Sequence, residues 1–256
     1  MKAFALEYRL RYGIHALIFV LGFWAPWNLV LHLDPPGPNA HVWGILAANM
    51  SQAGLGDISS AFVILLSLGI FFAVLGAWIR TWGAAYLSTD VVQGGGMHTA
   101  LFSNGILEDG PFRFVRNPLY LGTFCHTLAL ALLMPRSGAI FAIVAVGVMQ
   151  IRLILAEESF LKARLGAPYE AYCTLVPRLL PTLRPKVKAR GLVPRWTQAF
   201  IGEIYFWGVA GSYAFAGWHY NASLLMQCVL VSFGVALVAR ALMPTAKGPD
   251  EAVAAR

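Results

Sequence analysis

Six apolar stretches lie along the chain, and short polar or glycine- and proline-rich segments separate them. A helix needs about 20 mostly apolar residues to cross the hydrocarbon core of a bilayer, and the stretches reach or approach that length. The pattern predicts an all-α membrane protein with about six transmembrane helical segments. The predicted segments cover residues 13–31, 59–79, 119–134, 138–155, 199–217 and 222–239.

The third and fourth stretches and the residues just after them predict a hairpin followed by a surface helix. Only a Pro-Arg-Ser-Gly connection separates the two stretches, which favours a short helical hairpin in the membrane over residues 119–155. Residues 156–165 carry apolar side chains on one side and charges on the rest, as is typical of a cytoplasmic amphipathic helix at the membrane surface. We expect Gly166 to end this helix, because Pro168 follows it.

Composition and the placement of basic residues support a membrane protein. The chain is 58% hydrophobic and only 12% charged, too apolar for an ordinary soluble domain. Its net charge of +7 would suggest nucleic-acid binding in a soluble protein. However, if the N-terminus is cytoplasmic, Arg136 alone of 19 Lys and Arg falls in the predicted outside loops, 32–58, 135–137 and 218–221. The positive-inside rule therefore predicts a multi-pass inner-membrane protein with both termini cytoplasmic, whose partner is the lipid bilayer and not nucleic acid.

Cysteine usage gives no sign of a metal centre. Cys125, Cys173 and Cys228 are scattered without the paired spacing of a zinc site or a disulfide framework. We therefore expect no metal in the functional site.

Charged side chains gather at the predicted cytoplasmic ends of the second, third and fourth spans. Any one arginine there could simply extend its charged end to the membrane interface. Arg152 differs, because it lies within the apolar run GVMQIRLILA, where a charge usually faces a cavity or a partner such as Glu157. A folded bundle could bring these charges together: Arg80, Arg113, Arg116, Arg152, Glu157 and Glu158.

Two blocks that flank the hairpin resemble the membrane-embedded methyltransferases grouped around isoprenylcysteine carboxyl methyltransferase and phospholipid N-methyltransferase. The blocks are GPFRFVRNPLYLG, residues 110–122, and AEESFLKARLGAPYEAYCTLVPRLLP, residues 156–181. The family pattern is G-x-[YF]-x-x-x-R-[HN]-P-x-Y-x-G, then a short hairpin, then E-E-x-x-L, a glycine, Y-x-x-Y and V-P. Both blocks are complete here, and their joint occurrence around a hairpin is a specific signal.

The resemblance implies S-adenosylmethionine as methyl donor, bound at the cytoplasmic face, and a lipophilic or small-molecule methyl acceptor. Carried over to this sequence, it implies that Arg152 is a catalytic residue on the acceptor side, with Tyr169 and Tyr172 also binding the substrate. Arginines could meet the carboxylate of the donor, and glutamates its ammonium or hydroxyl groups. The implied cofactor-binding residues are Ile106, Leu107, Gly110, Phe112, Arg113, Arg116, Asn117, Pro118, Tyr120, Glu157 and Glu158.

Two features depart from the family pattern. Asn117 stands where many members have histidine, which excludes proton removal by this residue, because an amide only forms hydrogen bonds. The loop 93–109 is longer than the usual connector, and His98 within it could fold over the pocket.

The chain is expected to divide into an N-terminal span with an external loop (1–58), a methyltransferase core (59–185), and a C-terminal two-span extension with a tail (186–256). The extension lies outside the resemblance. It could shape an acceptor tunnel or a homodimer contact, and Glu203 with Arg240 could form an ion pair within it.

The residues leave the acceptor open among a phospholipid amine, a lipid-linked carboxylate and a small thiol. A different enzyme class, a membrane sterol-type reductase using NADPH, shares a similar framework. A transporter or assembly subunit is the non-enzymatic alternative. The one-sided clustering of polar groups and the lack of inverted repeats in the sequence argue against a transporter.

Overall fold

The computed structural model describes residues 3–25, 41–87 and 106–242, and within these ranges it is helical with no β-strand. Two short 3₁₀ helices, Gly110–Arg113 and Gly217–His219, accompany the α-helices. In chain order the α-helices are α1 (Ala5–Arg9), α2 (Arg11–Trp24), α3 (Val42–Gln52), α4 (Ile58–Ala85), α5 (Pro118–Ala131), α6 (Arg136–Leu165), α7 (Ala167–Leu175), α8 (Trp196–Gly202), α9 (Ile204–Ala216) and α10 (Ala222–Leu242).

Three of these helices, α4, α6 and α10, are long and apolar enough to cross a membrane. Helix α2 is apolar but shorter, at 14 residues. The described residues thus confirm an all-helical fold with three candidate membrane-spanning helices, whereas the predicted count of about six spans is not confirmed.

Helices α4 and α5 pack antiparallel at very short distance. A Cβ atom on Gly76 would lie 2.7 Å from the carbonyl oxygen of Gly122, and one on Gly122 would lie 2.8 Å from the carbonyl oxygen of Gly76. Only glycine at both positions allows the backbones to approach so closely. This contact brings the C-terminal end of α4, with Arg80, beside the start of α5, with Thr123.

The predicted hairpin is present as α5 and α6, but its second arm is longer than expected. Helix α6 runs without interruption to Leu165, so the predicted fourth segment and the predicted surface helix 156–165 are one helix. No glycine or proline lies between Gly147 and Gly166, and nothing in the sequence there breaks the helix. Gly166 ends it with a φ of 61°, as predicted.

Helix α2 runs antiparallel to α6, and α1 lies beside the C-terminal half of α6. Near the start of α6, a Cβ atom on Gly138 would overlap the carbonyl oxygen of Gly22. At the other end, Tyr8 reaches Glu157. The N-terminal residues therefore lie at the same end of the bundle as the two sequence blocks.

Two further elements differ from the sequence prediction. Helix α3 lies within the predicted outside loop 32–58, where burial of Trp43 and Ala47 in the main core stabilises it. The predicted segment 199–217 is interrupted at Glu203, which separates α8 from α9. Glu203 pairs with Arg80 across 2.6 Å, so the expected pairing with Arg240 is wrong.

Some sequence predictions fall outside the described residues. These are residues 26–40, with the end of the first predicted segment and the start of the outside loop, the part of the loop at 93–105 with His98, and the tail beyond Leu242.

Candidate active site

A cleft lies where the first block, the end of α6 and helix α7 meet. It has about 420 Å³ of empty space, including its open mouth. Apart from Leu161 and Leu165, every residue that lines it is a predicted site residue. The lining is Ile106, Leu107, Phe112, Arg116, Asn117, Glu157, Glu158, Leu161, Leu165, Tyr169 and Tyr172.

The first block reaches the cleft through a tight turn at Gly110. This residue has a left-handed φ of 56°, and a Cβ atom there would overlap the ring of Tyr86. Only glycine meets both conditions without strain. The turn leads into the 3₁₀ helix, which buries Phe112 against the wall of the cleft.

Arg113 binds the C-terminal side of the chain and not the cleft. Its Nε donates to the carbonyl oxygen of Val187 over 3.0 Å, and its own carbonyl accepts from the backbone of Lys186 over 2.9 Å. Asp109 holds the same segment, because its Oδ1 accepts backbone N–H bonds from Arg190 and Gly191. Arg113 thus fastens residues 186–191 beside the first block, and its predicted role in cofactor binding stays a prediction.

Asn117 and Pro118 set the start of α5. Pro118 occupies the first turn of the helix, where its missing N–H costs no hydrogen bond. The buried Asn117 side chain donates through Nδ2 to the carbonyl oxygen of Arg178 over 3.1 Å and to Oε1 of Glu158 over 3.4 Å. The amide therefore joins the two blocks.

Glu158 is a buried carboxylate held by two arginines. Nη2 of Arg178 lies 2.8 Å from Oε2, and its Nε lies 3.1 Å from both oxygens. Nε of Arg116 lies 3.4 Å from Oε1. The hydrogen bond from Arg178 to Glu158 raises the pKa of that guanidinium further. The carboxylate of Glu158 thus lies between two guanidinium groups, which compensate its burial.

Arg178 was missed by the sequence analysis, although it lies within the second block. It directly follows the Val-Pro pair, and the backbone N–H of Arg116 donates to the carbonyl oxygen of Pro177 over 2.9 Å. A basic residue directly after the Val-Pro pair was the sequence feature that could have identified Arg178 as a site residue.

Glu157 is buried next to Glu158 but has different partners. Its Oε1 accepts hydrogen bonds from the hydroxyl groups of Tyr8, at 2.9 Å, and Tyr120, at 2.8 Å. Its Oε2 has no hydrogen-bond partner among the described residues, although the side chain is only 3% exposed. A buried carboxylate oxygen without a donor is costly, which is the mark of a position that a ligand or ordered water satisfies.

Helix α7 forms one wall of the cleft with Tyr169 and Tyr172. The Tyr172 hydroxyl donates to the carbonyl oxygen of Phe112 over 2.7 Å and so joins α7 to the first block. Burial raises the pKa of both phenols well above the ordinary value, so both remain protonated hydroxyl groups at neutral pH. Their predicted role in substrate binding stays a prediction.

Arg152 does not line the cleft. Its Nη2 lies 2.8 Å from both carboxylate oxygens of Glu7, and its guanidinium lies 5.8 Å from the centre of the Phe4 ring. The expected pairing with Glu157 is wrong, because five residues of helix place two side chains about 140° apart. The catalytic, acceptor-side role of Arg152 stays a prediction.

The charges that the sequence placed together therefore occupy separate sites. Arg116, Glu157 and Glu158 meet at the cleft, whereas Arg80 lies with Glu203 between α4, α5 and α9. Of the predicted cofactor-binding residues, the four that do not line the cleft are Gly110, Arg113, Pro118 and Tyr120.

Comparison with known families agrees with the first sequence block and with the start of the second. The model of the phospholipid methyltransferase family matches residues 64–167, a segment that runs from α4 through the first block and the hairpin to the glutamate pair. The match confirms the resemblance to membrane methyltransferases of this type. No curated protein and no solved structure matches the chain.

Proposed function

We propose that this protein is an integral-membrane, S-adenosylmethionine-dependent methyltransferase that binds its methyl donor in the cleft. The observation that carries the proposal is a pair of unsatisfied buried groups of opposite charge. Oε2 of Glu157 lacks a donor and Nε of Arg116 lacks an acceptor in good geometry, as far as the structure describes the chain. A zwitterionic ligand with an ammonium and a carboxylate fits such a pair.

The charged and apolar side chains of the cleft suit the different parts of S-adenosylmethionine. Arg116 would hold the carboxylate, while the free oxygen of Glu157 would accept from the ammonium or a ribose hydroxyl. Glu158 is less suited to this contact, because Arg178 and Arg116 already surround its carboxylate. Ile106, Leu107 and Phe112 supply apolar surface for the adenine ring.

When bound, S-adenosylmethionine would supply the methyl group of its sulfonium to a nucleophile, with the neutral thioether S-adenosylhomocysteine as the leaving group. The chain therefore has to align the acceptor and exclude water, an effect that can lower a barrier by about 7–11 kcal/mol. Leu161 and Leu165 exclude water on the α6 side of the cleft. Hydrogen bonds of Glu158 with Asn117 and Arg178 hold the two sequence blocks in position relative to each other.

We favour a lipid amine as the acceptor, with a small thiol and a lipid-linked carboxylate as the alternatives. An amine arrives largely as an ammonium and must lose a proton before its nitrogen can attack. Glu157 would attract this cation and accept the proton at Oε2. A carboxylate acceptor would instead meet the like charge of Glu157 inside a poorly solvated cleft, which is unfavourable.

We further propose that the cleft faces the cytoplasm across the inner membrane. The one basic residue of the predicted outside loops, Arg136, begins α6 at the end of the bundle opposite the glutamate pair. Reporter fusions after Gly54 and after Lys188 should therefore report opposite sides, with Lys188 cytoplasmic. The reverse orientation would move the cleft away from a cytoplasmic donor and contradict the proposal.

Thermal unfolding of the detergent-purified protein tests the cofactor. S-adenosylhomocysteine should raise the melting temperature in a concentration-dependent way, because it binds only the folded state, and NADPH should not. Stabilisation by NADPH alone would favour the reductase. If neither compound stabilises the protein, the methyltransferase proposal is wrong and a transporter or assembly role gains support.

A further inference from the structure

The N-terminal helix α1 lies outside the segment that matches the family, yet it contributes to the cleft. Tyr8 on this helix donates its hydroxyl to Oε1 of Glu157 over 2.9 Å. The residues in contact are 149 positions apart in the chain, so the contact depends on the tertiary fold. Because the matched segment begins at residue 64, this contribution is specific to the N-terminal part of this chain.

Two other contacts hold α1 in place on α6. Glu7 and Arg152 form an ion pair in which Nη2 lies 2.8 Å from both carboxylate oxygens. The backbone N–H of Ala3 donates to the carbonyl oxygen of Arg152 over 3.1 Å. Both contacts lie more than one turn of α6 before Glu157, so they fasten α1 beside the carboxylate without touching it.

Tyr8 and Tyr120 approach the same oxygen of Glu157 from two different helices. Tyr120 lies on α5, within the matched segment, and its hydroxyl is 2.8 Å from Oε1. Two donors on one carboxylate oxygen fix the rotation of the carboxylate and leave Oε2 as the free acceptor. Arg11 supports the arrangement, because its Nη1 donates to the carbonyl oxygen of Tyr8 and its guanidinium lies 4.6 Å from the centre of the Tyr8 ring.

We propose that Tyr8 is a positioning residue that orients Glu157, so that its free oxygen faces the bound reactants. The proposal rests on the proposed methyltransferase function. It assigns α1 a role in turnover that the matched segment alone does not supply. It also gives Arg152 a defined task, namely to hold α1 through Glu7.

Tyr12 provides a matched control for Tyr8. It is a tyrosine near the start of α2, its ring lies 4.5 Å from the same Arg11 guanidinium, and it is 52% exposed. Its hydroxyl has no contact with Glu157 in the described structure. Tyr8→Phe and Tyr12→Phe therefore remove the same group from neighbouring positions, and only the first change reaches the carboxylate.

The experiment measures methyl transfer to vesicles that contain phosphatidylethanolamine, together with calorimetric binding of S-adenosylhomocysteine. We expect Tyr8→Phe to lower turnover at saturating donor by about tenfold or more, as for loss of a hydrogen bond to a charged group. Binding of S-adenosylhomocysteine should weaken less than in Glu157→Gln, because the carboxylate stays in the cleft, and Tyr12→Phe should match the wild type. In a Glu157→Gln background, Tyr8→Phe should change the residual turnover little, because its target has gone.

Infrared spectroscopy supplies a readout that does not depend on turnover. The carboxyl band of Glu157, identified by its loss in Glu157→Gln, should shift in Tyr8→Phe and stay in place in Tyr12→Phe. Equal turnover in Tyr8→Phe and Tyr12→Phe would overturn the positioning role. So would a Tyr8→Phe effect in the Glu157→Gln background as large as its effect in the wild type. A wild type that neither binds S-adenosylhomocysteine nor transfers methyl groups would instead overturn the proposed function. The infrared result does not depend on that function, and a carboxyl band that does not shift in Tyr8→Phe would reject the contact between Tyr8 and Glu157.

Discussion

Two buried ion-pair clusters lie at the same end of the bundle and differ in how completely they are satisfied. Arg80 donates to both oxygens of Glu203, to Thr123 and to the carbonyl oxygen of Leu119, and its guanidinium lies 4.2 Å from the centre of the Phe206 ring. The cleft cluster has four ionisable side chains, Arg116, Arg178, Glu157 and Glu158. Among the described residues, however, Oε2 of Glu157 and Nε of Arg116 have no hydrogen-bond partner in good geometry.

The difference separates a structural cluster from a candidate site. A closed network such as that of Arg80 holds helices together and offers no open position to a ligand. The cleft keeps an unsatisfied donor and an unsatisfied acceptor, whose cost a bound ligand would remove. The sequence shows both clusters as charges at helix ends, and only the tertiary contacts distinguish them.

The largest expected effect concerns stability and lies in the closed cluster. Glu203→Ala leaves Arg80 buried without its partner, which should lower the free energy of unfolding by about 3–5 kcal/mol. Thermal or denaturant unfolding in detergent measures this loss. Arg240→Ala is the control, since Arg240 contacts only the face of Tyr12 at 6.0 Å among the interactions described, and it should change stability little. Equal effects of the two variants would contradict the assignment of Glu203 to Arg80.

The second effect concerns the pair that holds α1. Glu7→Gln and Arg152→Gln should lower turnover to a similar extent, by less than Tyr8→Phe, and the double variant should be no worse than either. If Arg152 binds the acceptor directly, as the family resemblance implies, Arg152→Gln alone should be severe. A severe loss in Arg152→Gln with normal turnover in Glu7→Gln would therefore restore the acceptor-side role.

The same pair predicts a limited response to pH. Hydrogen bonding to Arg152 lowers the pKa of Glu7, so the pair is intact above the ordinary carboxyl pKa of about 4.3. Its contribution is lost only as the pH falls through the lowered value. Turnover of Glu7→Gln relative to wild type should thus be constant from about pH 6 to about pH 8, since both values lie above the ordinary carboxyl pKa. A ratio that changes across this range would mean that another group titrates at the contact.

A smaller effect on stability than that of Glu203→Ala is expected in the wall of the cleft. Tyr172→Phe removes the hydrogen bond to the carbonyl oxygen of Phe112 and should cost about 1–3 kcal/mol, the usual penalty for leaving one buried polar group unpaired. Cys173→Ala on the same helix is the control. A loss of acceptor affinity without a loss of stability would instead support the substrate-binding role predicted for Tyr172.

Local patterns named most of the residues that line the cleft, because these residues lie in two short blocks. The spacing of Asn117, Pro118 and the glutamate pair around a hairpin is visible in sequence, and the hairpin itself brings the blocks together. Arg178 and Tyr8 were missed for another reason. Each acts through a partner on a distant element, and no short motif marks such a contact.

The wrong predictions also have physical causes. The partner of Arg152 was sought nearby in sequence, whereas the helical repeat turns Glu157 away and the N-terminal Glu7 reaches the arginine instead. Likewise, Glu203 was expected at a span end beside Arg240, but the interruption between α8 and α9 turns it toward Arg80. The predicted count of about six spans stays unconfirmed, because helices such as α2 and α9 are shorter than a bilayer needs.

The central claim is that the unsatisfied groups of the cleft bind the methyl donor, and calorimetric titration with S-adenosylhomocysteine tests it most directly. The wild type should bind, and Glu157→Gln/Glu158→Gln should bind more than tenfold more weakly, since each lost charge-assisted hydrogen bond is worth about 1.5–3 kcal/mol. Glu203→Gln, in the closed cluster, should bind like the wild type in the fraction that folds. Unchanged affinity in the folded double glutamine variant would contradict the account and remove both glutamates from the donor site.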